Sequence, residues 1–302
     1  MRLLDSAVVR VLPAVPRSVV RRVAAPYIAG PTLEDARRVV AALNEEGLSA
    51  TVDVLGEEIR RAEEAEAMAR AFHEALAAIT ADGLEANISI KLTGLGLKLD
   101  ERLCGELVRA VVADAAGRGI FVRIDMEDSS TTDQTLALYR TLRAEGHDGV
   151  GVVLQAALRR TLADVAELAP LAPSVRLCKG IYVEPAPVAY QAFDTIRSSF
   201  VSCLDALLEA GCRVAVATHD EWLLERALER VAGLGHEGYE LQMLLGVRGE
   251  RARELVAEGH PVRIYVPYGE RWYEYSLRRL QENPKVAGYV ARDLLGRVVP
   301  GR

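Results

Sequence analysis

The feature that most constrains this chain is an alternation that runs through nearly all of it. Short β-branched runs are separated by stretches with helical spacing of apolar residues. The candidate strands are "ATVDVLG" from Ala50, "NISIKLTG" from Asn87, "IFVRIDME" from Ile120, "GVVLQ" from Gly151, "VRLCKG" from Val175, "RVAVATHD" from Arg213, "YELQMLLG" from Tyr239 and "VRIYVPYG" from Val262. Between them lie amphipathic segments such as Glu57 to Ile79, Leu103 to Gly119 and Glu221 to Gly235. Eight strand–helix units with a helix after the last predict an α/β fold, a (β/α)8 TIM-type barrel, ahead of a doubly wound open sheet.

The segment 1–46 precedes the first strand and carries a helix in "TLEDARRVVAALNEEG", with Thr32 as its N-cap and Gly47 as its stop. It reads as an N-terminal helical arm, and 47–302 as the barrel domain. A net charge of −6 with arginines interspersed among glutamates argues against nucleic acid as a partner. Cys104, Cys178, Cys203 and Cys212 form no metal-ligand spacing and read as buried thiols in a reducing cytoplasm. No apolar run approaches the ~20 residues that span a bilayer. One amphipathic face would still allow a peripheral membrane contact.

Active sites of such barrels stand at the carboxyl ends of the strands. That list reads Asp53, Lys91, Asp125 with Glu127, Gln155, Lys179, Thr218-His219-Asp220, Gln242 and Tyr265. A barrel core is expected to be apolar and its lower rim merely stabilising, so a charged residue within a strand calls for a partner and a site. Lys91 and Asp125, at equivalent depth on neighbouring strands, form either a structural ion pair or a cation held for an anionic ligand. Arg176 has no carboxylate neighbour in sequence, so an anionic cofactor or substrate is the expected partner. "THD" and "KGIY" resemble a phosphate-binding rim, although Thr218 and Asp220 could simply cap the next helix. A metal site from Asp125, Glu127, His219 and Asp220 has no fixed spacing to support it, and no metal is expected. Neither a dinucleotide fingerprint nor a P-loop is present, so any nucleotide cofactor must be held by the barrel itself.

Near the end, "YEYSLRRLQENP" puts Tyr275, Arg278, Arg279 and Glu282 on one side of a helix expected over the mouth of the barrel. Two adjacent guanidinium groups can grip one small carboxylate, with Glu282 steadying them and Tyr275 walling the site. The bland alternative is a solvated Arg–Glu surface. The position after the eighth strand, beside Tyr265, Tyr268, Trp272 and Tyr273, favours the clamp.

Taken together, "ISIKLTGLG", "RIDMEDS", "VVLQAALRR", "VRLCKGIYVEP", "ATHD", "LQMLLGV" and "YVPYGERWYEYSLRRLQENP" resemble the proline dehydrogenase family over some two-thirds of the chain. The resemblance implies FAD as cofactor, oxidation of L-proline to Δ1-pyrroline-5-carboxylate as the first step of proline catabolism, a quinone-type electron acceptor and a functional link to a pyrroline-5-carboxylate dehydrogenase. It further implies that Lys91, Arg278 and Arg279 bind the substrate carboxylate and that Asp125 partners Lys91. Tyr265, Leu244 and Tyr275 would enclose the ring, and Arg176 would lie near the flavin N5. Asp125 and Arg176 are thereby the expected catalytic residues. Met126, Gln155, Lys179, Gly180, Ile181, Thr218, His219 and Gln242 would hold the flavin nucleotide. Two positions depart from the family: Ile181 stands where Ala is usual, and Asp220 where Asn is usual.

Two other readings remain open from the residues alone. A Schiff-base aldolase would use Lys91 or Lys179. A barrel kept as a binding module would have no use for so many polar strand ends.

Overall fold

A computed structural model describes residues 25–57, 59–235, 238–273 and 275–276. Eight parallel strands close in sequence order: β1 (Ser49–Val54), β2 (Ala86–Ile90), β3 (Val122–Ile124), β4 (Val150–Gln155), β5 (Ser174–Cys178), β6 (Arg213–Ala217), β7 (Tyr239–Leu244) and β8 (Val262–Tyr268). β8 pairs back onto β1, with Thr51 opposite Tyr265, so the sheet has no free edge.

Helix α1 (Leu33–Glu45) precedes β1 and packs against both β8 and β1, covering the seam where the barrel closes. Thr32 and Asp35 form a reciprocal capping box, and Gly47, at φ +76°, follows the C-cap as expected. The crossover helices are α2 (Ala62–Ala81), α3 (Glu101–Gly117), α4 (Thr132–Ala144), α5 (Thr161–Leu168), α6 (Phe193–Glu209), α7 (Glu221–Val231) and α8 (Gly249–Ala257). α2 begins five residues later than its sequence pattern suggests: Arg61 is extended, and Glu64 folds back to accept from the Arg60 amide. Of the expected final helix, only Tyr273, Tyr275 and Ser276 fall within the described residues.

The main apolar core lies between the sheet and its helices. Residues such as Val52, Ile88, Ile124, Val152, Leu177, Val216 and Ile264 alternate along the strands and pack against Phe72, Leu76, Val108, Leu136, Phe200 and Leu224. The interior of the barrel is different, and here the expectation of an apolar core is corrected. Thr51 donates to Asn87 at 2.6 Å, the buried side chains of Ser89, Asp125, Arg176, Gln242 and Glu240 are linked by hydrogen bonds across the barrel, and buried Arg123 donates to Val152 and Ser174. The outer hydrophobic layer supplies the burial that offsets the cost of this polar filling.

No helix among the described residues is long and apolar enough to cross a membrane. The four cysteines are free, and burial pushes the Cys104 thiol up to about 12.

Candidate active site

The carboxyl ends of β1, β2, β3, β5, β7 and β8 bring one connected set of polar groups together. Lys91 Nζ lies 2.8 Å from Asp53 Oδ1 and 3.3 Å from Asp125 Oδ2, and donates to the Tyr265 hydroxyl at 2.9 Å. Tyr265 in turn donates to Asp125 Oδ2 at 2.8 Å. Asp125 also accepts from Ser89 Oγ and from Arg176 Nη1, each at 2.6 Å. Arg176 Nε donates to Gln242 Oε1 at 2.5 Å, and the Gln242 amide donates to Glu240. The sequence pairing of Lys91 with Asp125 is therefore incomplete, because the shorter partner is Asp53 on β1. The expectation that an anionic cofactor or substrate supplies the negative partner of Arg176 is corrected as well, since Asp125 already faces it.

Electrostatics follow from this packing. Burial works against the Lys91 ammonium, but Asp53, Tyr265 and Asp125 hold its pKa well above the ordinary value. Burial also opposes the Asp125 charge, yet Lys91, Arg176, Ser89 and Tyr265 keep the carboxyl below its usual range. Asp53 is fully buried, its Oδ2 has no hydrogen-bond partner, and burial raises its pKa to about 6 against the pull of Lys91. Glu127 accepts from the Thr93 amide at 2.9 Å and from the Thr93 hydroxyl, and burial raises it. Among the described residues no group of three or more His, Cys, Asp or Glu side chains is placed to hold a metal ion.

Beside this cluster a cavity of about 540 Å³ opens at the mouth of the barrel. Met126, Gln155, Arg176, Lys179, Gly180, Ile181, Thr218, His219 and Gln242 all line it, as do Leu244 and Tyr265. Gln155 donates to the carbonyl oxygens of Met126 and Glu127, and the His219 ring is oriented by the Leu244 amide, 2.9 Å from Nε2. Gly180 has φ +98°, and a Cβ there would come within 3.2 Å of the Gln155 side chain, so this wall is shaped by the absence of a side chain. Arg176 Nη2 is buried without a partner.

Among the predicted residues within the described part of the chain, Lys91, Asp125 and Tyr275 do not line this cavity. Tyr275 packs with Ile28, Leu55 and Trp272. Arg278 and Arg279 lie outside the described residues, as does Glu282. The sequence reading did not place Cys178, Ala217 and Met243 of the strands in the site, nor Phe193 and Arg197 from the first turns of α6. The signal for the two α6 residues was available, because the amino ends of barrel helices point toward the mouth. Arg197 grips Asp220 through two bonds of 2.9 and 2.7 Å, and Lys179 reaches the same carboxylate at 3.2 Å. Asp220 stands at the N-cap position of α7 yet makes no side-chain cap there. Burial works against its charge, but Arg197 and Lys179 hold its carboxyl below the ordinary range.

The proline dehydrogenase family model matches residues 36–292. The chain belongs to the proline dehydrogenase family. Proline dehydrogenase 1 of Bacillus subtilis subsp. natto is 39% identical over 271 residues, covering 89% of both chains. Proline dehydrogenase of Deinococcus radiodurans is 38% identical over 277 residues, again covering 89% of each. Among solved structures, proline utilization A (PutA) from Bdellovibrio bacteriovorus, inactivated by N-propargylglycine, superposes with a TM-score of 0.80 at 25% identity. That match covers 86% of this chain and 32% of the PutA chain, so the chain spans about a third of PutA.

Proposed function

We propose that this proline dehydrogenase oxidises L-proline to Δ1-pyrroline-5-carboxylate with FAD held non-covalently in the mouth cavity, the first step of proline catabolism. The observation that carries this reading is the convergence on one cavity of Arg176, with its unpartnered buried Nη2, the glycine wall at Gly180 and the cations Lys179 and Arg197. These residues fit a large anionic cofactor with a flat ring system: apolar Met126, Met243 and Leu244 offer contact surface, and the cations suit a pyrophosphate. FAD, when bound, supplies a two-electron acceptor for the hydride leaving the carbon next to the proline nitrogen.

The protein's own part is positioning and electrostatics. Arg176 is aimed by Asp125 and Gln242, so its charge is fixed before negative charge develops beside it. Lys91 donates to Asp53 and Tyr265 and lies 3.3 Å from Asp125, so a substrate carboxylate would share its third hydrogen with Asp125. Arg278 and Arg279 are proposed to complete that carboxylate site, and Tyr265, Leu244 and Tyr275 to enclose the ring. The raised pKa of Lys91 disfavours a Schiff-base lysine, which must be neutral to attack. Exposed Ile181, Val183 and Phe193 give the region of the mouth an apolar fringe, which supports a quinone-type acceptor met at a membrane surface. A functional link to a pyrroline-5-carboxylate dehydrogenase follows from the product.

The test is to purify the chain, saturate it with FAD and add L-proline without oxygen. The flavin absorbance should bleach, and pyrrolidine, which lacks the carboxylate, should bleach it far more slowly. Failure to bind FAD, or equal bleaching by both compounds, would overturn the reading.

A further inference from the structure

We propose that the opposite, amino-terminal end of the barrel binds a small phosphate monoester. A cavity of about 560 Å³ opens there among Arg118, Arg123, Ser174, Arg213, Glu240 and Arg263. It shares no lining residue with the mouth cavity.

Its charges do not balance. Arg118 is paired with Asp114 at 2.7 Å. Arg263 Nε lies 3.1 Å from Glu240 Oε2, while Arg213 Nη2 reaches the same oxygen only at 3.7 Å. Arg123 makes no ion pair among the described residues: it donates to the carbonyl oxygens of Val152 and Ser174 and to Ser174 Oγ. Its Nε is buried with no partner. Three guanidinium groups therefore share one buried carboxylate. A buried guanidinium surrounded by neutral oxygens is costly unless negative charge lies near. Consistent with that, burial and the charge of Arg176 push Arg123 down to about 9.

The chemistry of the missing partner follows from the donors. Guanidinium forks match the oxygens of a phosphate, whose negative charge compensates the excess that buried Glu240 and the exposed lining residue Glu85 leave. The half-exposed Arg213 side chain gives access from solvent. The cavity lies within the ~300–1,000 Å³ range of small-molecule sites and is far larger than a bare phosphate requires. The phosphate would be one end of a larger molecule.

The full chain saturated with FAD, so that the mouth cations are occupied, should be titrated calorimetrically with glycerol 3-phosphate and with inorganic phosphate, at ionic strength held constant with NaCl. Saturable binding, tighter for the monoester, is expected. Arg213→Gln should weaken it by about tenfold, the loss of one charge-assisted contact, while Arg140→Gln, in a surface pair with Glu167, should leave it unchanged. In the unsubstituted chain, glycerol 3-phosphate should protect Arg213 and Arg263 from phenylglyoxal, read by mass spectrometry. Heat no greater than that of NaCl, unchanged affinity in the Arg213 variant, or no protection would each overturn the proposal. Equal affinity for both ligands would overturn its monoester part.

Discussion

Gln242 holds Arg176 from one side and Glu240 from the other: its carbonyl oxygen accepts from Arg176 Nε at 2.5 Å, and its amide nitrogen donates to the Glu240 carboxylate. An ionised carboxylate can only accept, so Glu240 fixes which end of the Gln242 amide faces Arg176. Arg263, 3.1 Å from Glu240, together with Arg123 keeps that carboxyl ionised, below its usual range, against the burial that opposes it. The polar chain runs without a break from Asp53 at the mouth to Arg263 at the base.

Gln242→Leu keeps the volume and removes both bonds. Leaving Arg176 Nε and Glu240 without this partner should cost about 1–3 kcal/mol of unfolding free energy. The same variant should shift the flavin reduction potential, because Arg176 is no longer aimed. A potential identical to that of the parent would show that Gln242 is only a filler.

Asp125→Asn leaves Lys91 and Arg176 without the carboxylate that both contact. Removing one partner from a buried ion-pair network costs about 3–5 kcal/mol, so urea unfolding should fall by that order and proline oxidation should fall with it. Asp205→Asn, which breaks the part-exposed pair with Arg230, should cost markedly less, on the order of 1 kcal/mol. Equal costs for the two variants would contradict the burial argument.

The raised pKa of Asp53, about 6, gives a pH dependence with a defined sign. Between the unfolded value near 3.8 and the folded value near 6, the native state holds a proton that the unfolded state has released. Stability from this group is therefore complete below the lower value and lost as pH rises through the upper one, with a slope of at most about 1.4 kcal/mol per pH unit. Urea unfolding at several pH values across this window should show that component in the parent and lack it in Asp53→Asn. Parallel curves would refute the assignment.

Arg279→Met removes one fork of the proposed carboxylate clamp while keeping aliphatic bulk. FAD content should persist, and KM for L-proline should rise about tenfold for each 1.4 kcal/mol of lost binding. Arg176→Met should act instead on the flavin potential and the rate of its reduction. Loss of FAD from the Arg279 variant with proline affinity intact would reverse the two roles.

The alternation of strands and helices determined the barrel, because neighbouring elements in a (β/α)8 chain are also neighbours in space and the pattern is local. The polar strand ends were legible for the same reason: Gln155, Lys179, Thr218, His219 and Gln242 follow from a strand period of two and the rule that the mouth lies at the carboxyl ends. What the sequence left undecided is which charge meets which. Asp125 and Arg176 are 51 residues apart and meet across the barrel, and Lys91 reaches Asp53, 38 residues away, at a shorter distance than Asp125 on the next strand. Those partners depend on how the strands are staggered when β8 closes onto β1, which is a property of the closed sheet and of no single segment. Likewise Asp220 meets Arg197 only because α6 and α7 pack side by side, and the unbalanced arginines at the base become neighbours only once the barrel is shut.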